Sequence, residues 1–136
     1  MIDARTRGAL LGLANGVTIA LLYALDRGGY DVFSLIPTPW FVGREPTTYQ
    51  LFLAVAMHTV PVSILLGVVL GGEARDMSGA WLGRAFKLTL AAFLLTAVCS
   101  VPWPAVARYG VVSAVIYAHV LAWWVTRSED PWPMLE

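Results

Sequence analysis

The stretch QLFLAVAMHTVPVSILLGVVL, residues 50–70, holds no charged side chain, and its reading decides the fold. At ~1.5 Å of rise per residue a helix of this length crosses the ~30 Å hydrocarbon core of a bilayer. Hydrocarbon offers no partner to backbone N–H and C=O groups, and a helix satisfies them within its own segment. A spanning β-strand would alternate polar and apolar residues over about ten positions. This run does not alternate. Working outward, residues 8–25, 82–101 and 105–126 read the same way. The sequence therefore predicts an all-α, polytopic membrane protein: one domain over residues 1–136, a bundle of four transmembrane helices.

Composition points in the same direction. The chain has 136 residues, 58% hydrophobic and 13% charged; soluble domains are nearer half apolar and a quarter charged. A soluble fold of this length could not hide that much apolar surface. The zero net charge gives no footprint for nucleic acid. The single cysteine, Cys99, excludes an internal disulfide and a cysteine-rich metal site, and its apolar setting makes it a packing residue. Arg5 and Arg7 ahead of an apolar core have the layout of a signal peptide, but no Ala-x-Ala cleavage pattern follows.

Local signals mark the ends of the spans. Asp26-Arg27-Gly28-Gly29 is expected to stop the first helix, and Gly71-Gly72 the second. Thr47 and Gln50 have capping-box spacing at the start of the second. Asp76 or Ser78 is expected to cap the third. Pro102-Trp103-Pro104 turns the chain between the third and fourth, since proline fixes the backbone and cannot donate.

With both termini cytoplasmic, Arg5, Arg7, Arg75, Arg84, Lys87 and Arg127 lie inside and Arg27, Arg44 and Arg108 outside. That excess follows the positive-inside rule and predicts a multi-pass protein of the cell membrane. Tyr23, Tyr49, Tyr109, Trp40 and Trp103 would then sit at the outer interface. Trp81, Trp123 and Trp124 would sit at the inner one, where rings with one apolar and one polar end belong. The long connection over residues 26–49 has an apolar middle broken by Pro37 and Pro39. It is expected to lie on the outer interface as an irregular connector over the bundle. Trp132 falls in a short, Pro-rich tail.

Few residues could carry function. Gly8, Gly12 and Gly16 recur every four positions and place three bare backbone positions on one helix face. Such a face permits close helix packing, either within the bundle or against a partner chain. Asn15 is an amide deep in a span; it should face protein and serve a structural hydrogen bond. Pro61, half-way along the second span, is expected to kink that helix.

His58 and His119 are the only histidines, and both lie inside spans. Counted from the outer ends they are ~12 Å and ~16–20 Å deep, on helices running the same way, so they are expected to face the interior in one layer. Paired neutral imidazoles can hold the iron of a b-type haem, Ala54, Ala118 and Ala122 would leave room for the macrocycle, and Arg44 or Arg108 could meet the propionates. The plainer reading is hydrogen bonding between helices, to Thr59, Ser63, Thr96 or Tyr117.

No carboxylate lies in the middle of a span, so the coupling group of a small proton-driven exporter is missing. No Ser-His-Asp set, His-x-x-x-His pair, phosphate loop or internal repeat is present. Three readings follow. The first is a non-catalytic helical subunit or stand-alone bundle acting through helix contacts, with the lipid bilayer and a homo-oligomer or other membrane subunits as partners. The second is a haem b electron-transfer subunit with His58 and His119 as axial ligands. The third is a small transporter or channel for a neutral or lipidic solute.

Overall fold

The structure, a computed structural model, describes residues 2–28, 48–101 and 104–129. The expected capping box at Thr47, the apolar connector with Pro37, Pro39, Trp40 and Arg44, the Pro102-Trp103 corner and the Trp132 tail lie outside those residues. The described residues form α1 (Ala4–Gly28), α2 (Thr48–Asp76), α3 (Trp81–Cys99) and α4 (Pro104–Glu129). All four helices are long and apolar enough to cross a membrane.

Three of the helices are longer than their hydrophobic runs because their ends are built from polar residues, whereas α3 stops at Cys99, two residues short of the expected end at 101. α1 starts four positions before residue 8: the Asp3 carboxylate accepts the Thr6 N–H at 2.7 Å and its carbonyl accepts the Arg7 N–H at 3.0 Å. Both satisfy donors that a helix start leaves open. α2 does not stop at Gly71-Gly72 but runs through to Asp76. Glycine inside a helix costs about 1 kcal/mol relative to alanine, and here Gly71 uses its missing side chain for contact with α1. α3 begins after Ala80 with no side-chain cap, so neither Asp76 nor Ser78 plays the expected part. α4 begins on Pro104, whose absent N–H is one that a first turn leaves unbonded.

α1 packs most closely against α2, α3 against α4, and α1 against α4; α2 touches α3 and α4 only lightly. The α1–α2 seam is backbone on backbone. A Cβ on Gly8 would run into the Gly67 carbonyl oxygen, one on Gly12 into that of Ser63, and one on Gly71 into that of Ala4. A Cβ on Gly16 would lie 2.6 Å from Val60 Cα. The paired residue numbers add to nearly the same value throughout, so one antiparallel register holds over residues 4–16. Thr59 fastens the seam, donating its hydroxyl to the Gly16 carbonyl at 2.9 Å. α2 thus fills the glycine face of α1.

The bundle is small inside and large outside. Its buried residues include Ala20, Ala24, Ala74, Ala85, Ala92, Ala118 and Ala122, while Leu65, Phe86, Val98 and Val101 are each at least two-thirds exposed. In water that surface would be an aggregation hazard; against acyl chains it is the expected one, because close packing replaces the hydrophobic drive between helices. One apolar cluster, around Leu70, Leu88, Leu121 and Val125, occupies the half nearer the termini. A second, around Ile19, Val55 and Val106, occupies the far half.

Candidate functional site

Between those clusters lies a polar layer. Asn15 on α1 donates its amide to Ser63 Oγ on α2 at 3.3 Å and accepts from Ser113 Oγ on α4 at 2.5 Å. Ser113 is 1% exposed, so an unbonded hydroxyl there would cost about 1–3 kcal/mol. Thr18 and Tyr117 share a hydrogen bond of 2.9 Å one turn further along α1. The layer crosses three helices with every amide and hydroxyl in those bonds matched.

The light contact between α2 and α3 leaves a cleft at this level. One cavity, about 40 Å³, runs toward the termini between Leu11, Leu66, Leu70, Ala118 and Leu121. A second, about 100 Å³, runs to the far end between Ile19, His58, Cys99, Ser100 and Val106. Asn15, Ser63, Leu66 and Thr96 line both, so the two are lobes of one cleft. Among the described residues no Asp, Glu, Lys or Arg lines either lobe.

The histidines do not share a layer. His58 faces the far lobe beside Val106 and Gly110, whereas His119 lies nine residues beyond Gly110, ~13 Å further along α4. α2 overhangs α4 at the far end, so counting inward from the helix starts overstates the depth of His58. Neither ring is enclosed: both residues are exposed. His119 is satisfied locally, its Nδ1 2.7 Å from the Val115 carbonyl oxygen and 3.3 Å from Thr89 Oγ1. Because a carbonyl only accepts, Nδ1 carries the proton. One iron must lie within bonding distance of both imidazoles, and these two residues do not fit a haem between them. No group of three or more metal-binding side chains occurs among the described residues. Pro61 is exposed on α2, which continues through it.

The bundle ends carry charge. Near the termini the Arg7 guanidinium, 7% exposed, donates to the Trp124 carbonyl at 3.0 Å and lies 5.3 Å from the Trp124 ring. Its Nε meets no acceptor among the described residues. Arg84, 6% exposed, donates to Thr126 Oγ1 at 3.3 Å. Two buried cations from α1 and α3 therefore grip the last turns of α4, where the helix dipole is negative. At the far end Asp26 accepts from Arg108 at 3.0 Å and from the Tyr109 hydroxyl, and Tyr23 meets Tyr109 edge to face at 5.9 Å. The sequence reading missed these links. Asp3 was legible as a cap; the depth to which Arg7 and Arg84 are buried was not.

No family model matches the chain, and neither any curated protein nor any solved structure matches it.

Proposed function

We propose that this protein resides in the cell membrane with its termini in the cytoplasm and holds a neutral or lipid-like solute in the α2–α3 cleft, as a small carrier, channel or binding bundle. The observation that carries the reading is the cleft itself: two joined lobes inside a bundle of this size, with hydroxyl, amide and imidazole groups on the wall and no fixed charge among the described lining residues. Such a wall offers hydrogen bonds to an uncharged guest and no counter-charge to an ion, whose desolvation would go uncompensated. The reading as a subunit that docks through its glycine face has less to stand on, since α2 occupies that face. The orientation is supported by the cations of the described residues: Arg5, Arg7, Arg75, Arg84, Lys87 and Arg127 gather at the terminal end.

Native mass spectrometry of protein released from lipid nanodiscs tests the binding. A retained adduct of discrete mass is expected, and it should vanish when Thr96→Trp fills the junction of the lobes. Spectra that are identical and adduct-free for both proteins would end the reading. For orientation, an impermeant maleimide added to intact cells should label Cys99, and should spare a Ser78→Cys, Cys99→Ser double variant.

A further inference from the structure

Both lobes are mostly apolar, and they differ in the side chains that line their two ends. The terminal lobe is walled mainly by Leu11, Leu66, Leu70, Ala92, Ala118 and Leu121. The far lobe adds His58, Cys99 and Ser100. Several polar groups of the wall are already engaged: Asn15 and Ser63 with each other, Thr59 with the Gly16 and Val55 carbonyls, and Ser100 with the Thr96 carbonyl at 2.6 Å. Thr96 lines both lobes, with its methyl group toward Gly110 and no hydrogen bond from its hydroxyl among the described residues, and the Cys99 thiol is free. A hydroxyl-bearing residue thus stands where the two lobes meet.

Length gives the second constraint. From His58 to Leu70 α2 rises ~18 Å, close to the ~15 Å that one leaflet contributes to a ~30 Å core. α3, the shortest helix at 19 residues, rises ~28 Å. Its last turn, with Cys99 and Ser100, therefore marks one edge of the hydrocarbon. The cleft runs from that edge to about the bilayer midplane, as a lipid chain of one leaflet does.

We propose that the guest is a single-chain amphiphile with an uncharged, hydrogen-bonding head: the head lies in the far lobe against Thr96, Cys99 and His58, and the chain lies in the terminal lobe along Leu66, Leu70 and Leu121. This rests on the cleft being a binding site at all and adds its ligand class and direction. A phosphate-bearing head finds no cation among the described residues of either lobe. A short polar solute leaves the leucine-lined lobe empty.

Cys99, the only cysteine, is the reporter. The rate of its alkylation by N-ethylmaleimide is measured on the full chain in detergent-free nanodiscs, because a nonionic detergent is itself an amphiphile of this class. The probes are monoolein, hexadecyl phosphate and butan-1-ol. Monoolein at ten times its Kd should slow the reaction about tenfold, since the open form falls by that factor; the other two should leave the rate unchanged. Thr96→Val, which keeps the shape and removes the hydroxyl, should raise the monoolein concentration needed for half-protection. Ala118→Phe, which fills the chain lobe, should abolish protection. If butan-1-ol protects as well as monoolein, the cleft binds a small solute and the amphiphile is ruled out. If hexadecyl phosphate protects equally, the uncharged head is ruled out. If no probe protects, the amphiphile and the binding cleft fall together.

Discussion

Replacing Gly12 by alanine adds one methyl group in the middle of the close α1–α2 seam, between Gly8 and Gly16. The new Cβ would sit 2.8 Å from the Ser63 carbonyl carbon and 2.9 Å from Ile64 Cα, where ordinary contact is 3.4–4 Å. Both obstacles are backbone, so no rotamer change relieves them. The Ser63 carbonyl oxygen stands nearer still, so the helices must part by about 1 Å, and a gap of that order forfeits about half of each dispersion contact. A seam with on the order of 40 close atom pairs at ~0.1–0.2 kcal/mol each then loses about 2–4 kcal/mol. Stretching the Thr59–Gly16 and Asn15–Ser63 bonds removes up to ~0.6 kcal/mol apiece. The better helix propensity of alanine returns about 0.5–1 kcal/mol. The net expectation is a loss of about 1–4 kcal/mol, measured by reversible unfolding in mixed SDS micelles. The control is Gly83→Ala on α3, where a Cβ meets nothing within 4 Å; it should gain about 0.5–1 kcal/mol. If Gly12→Ala lies within about 0.5 kcal/mol of the parent, as a free surface site would, the backbone seam described above does not hold the pair together.

Three further outcomes are expected. Asn15→Leu removes the bonds of Asn15 to Ser63 and Ser113 and strands the buried Ser113 hydroxyl; it should cost about 1–3 kcal/mol in the same unfolding assay. Arg7→Leu should cost about 1–3 kcal/mol through the Trp124 carbonyl and ring, and Arg7→Lys should recover only part of it, because an ammonium cannot both fork and stack. Asp3 has its carboxyl held below its ordinary 3.8, chiefly by the Thr6 hydrogen bonds. Its contribution is therefore complete above 3.8 and lost as the pH falls through the lowered value. Protection of the amides in the first turn of α1, taken relative to their intrinsic exchange at each pH, should fall over that range, and Asp3→Asn, still a good cap, should remove the pH dependence.

Much of this architecture was legible in the sequence, and the illegible part has a common cause. Span number and type follow from chain length against bilayer thickness, a comparison one segment can settle alone. Contacts between helices need the relative stagger of two segments, which no single segment encodes. His58 and His119 show the cost: equal counting from the helix starts put them in one layer, and the overhang of α2 parts them. The partner of the glycine face was nevertheless written in the sequence. Ser63, Gly67 and Gly71 recur at the same four-residue interval as Gly8, Gly12 and Gly16, and reading the two stripes together yields the register. The small residues lining the α3–α4 seam, such as Ala85, Ala92 and Ala118, carry no such mark among the many alanines of the spans. Thr89 was passed over as partner of His119 because its position depends on how α3 lies against α4.

The grip of Arg7 on Trp124 joins residues 117 positions apart, and this bears on how the protein is made. At ~5–20 residues per second the ribosome needs roughly 6–23 s to deliver the second partner after the first. Throughout that interval α1 and α2 can already zip along their bare backbones, which demands no side-chain ordering. Until then the arginine lacks the carbonyl and the ring that it meets in the finished bundle. Arrival of α4 buries it, 7% exposed, against Trp124. Closure of the bundle at this end therefore waits on the fourth helix, and a chain truncated before Trp124 would lack the partner that Arg7 grips.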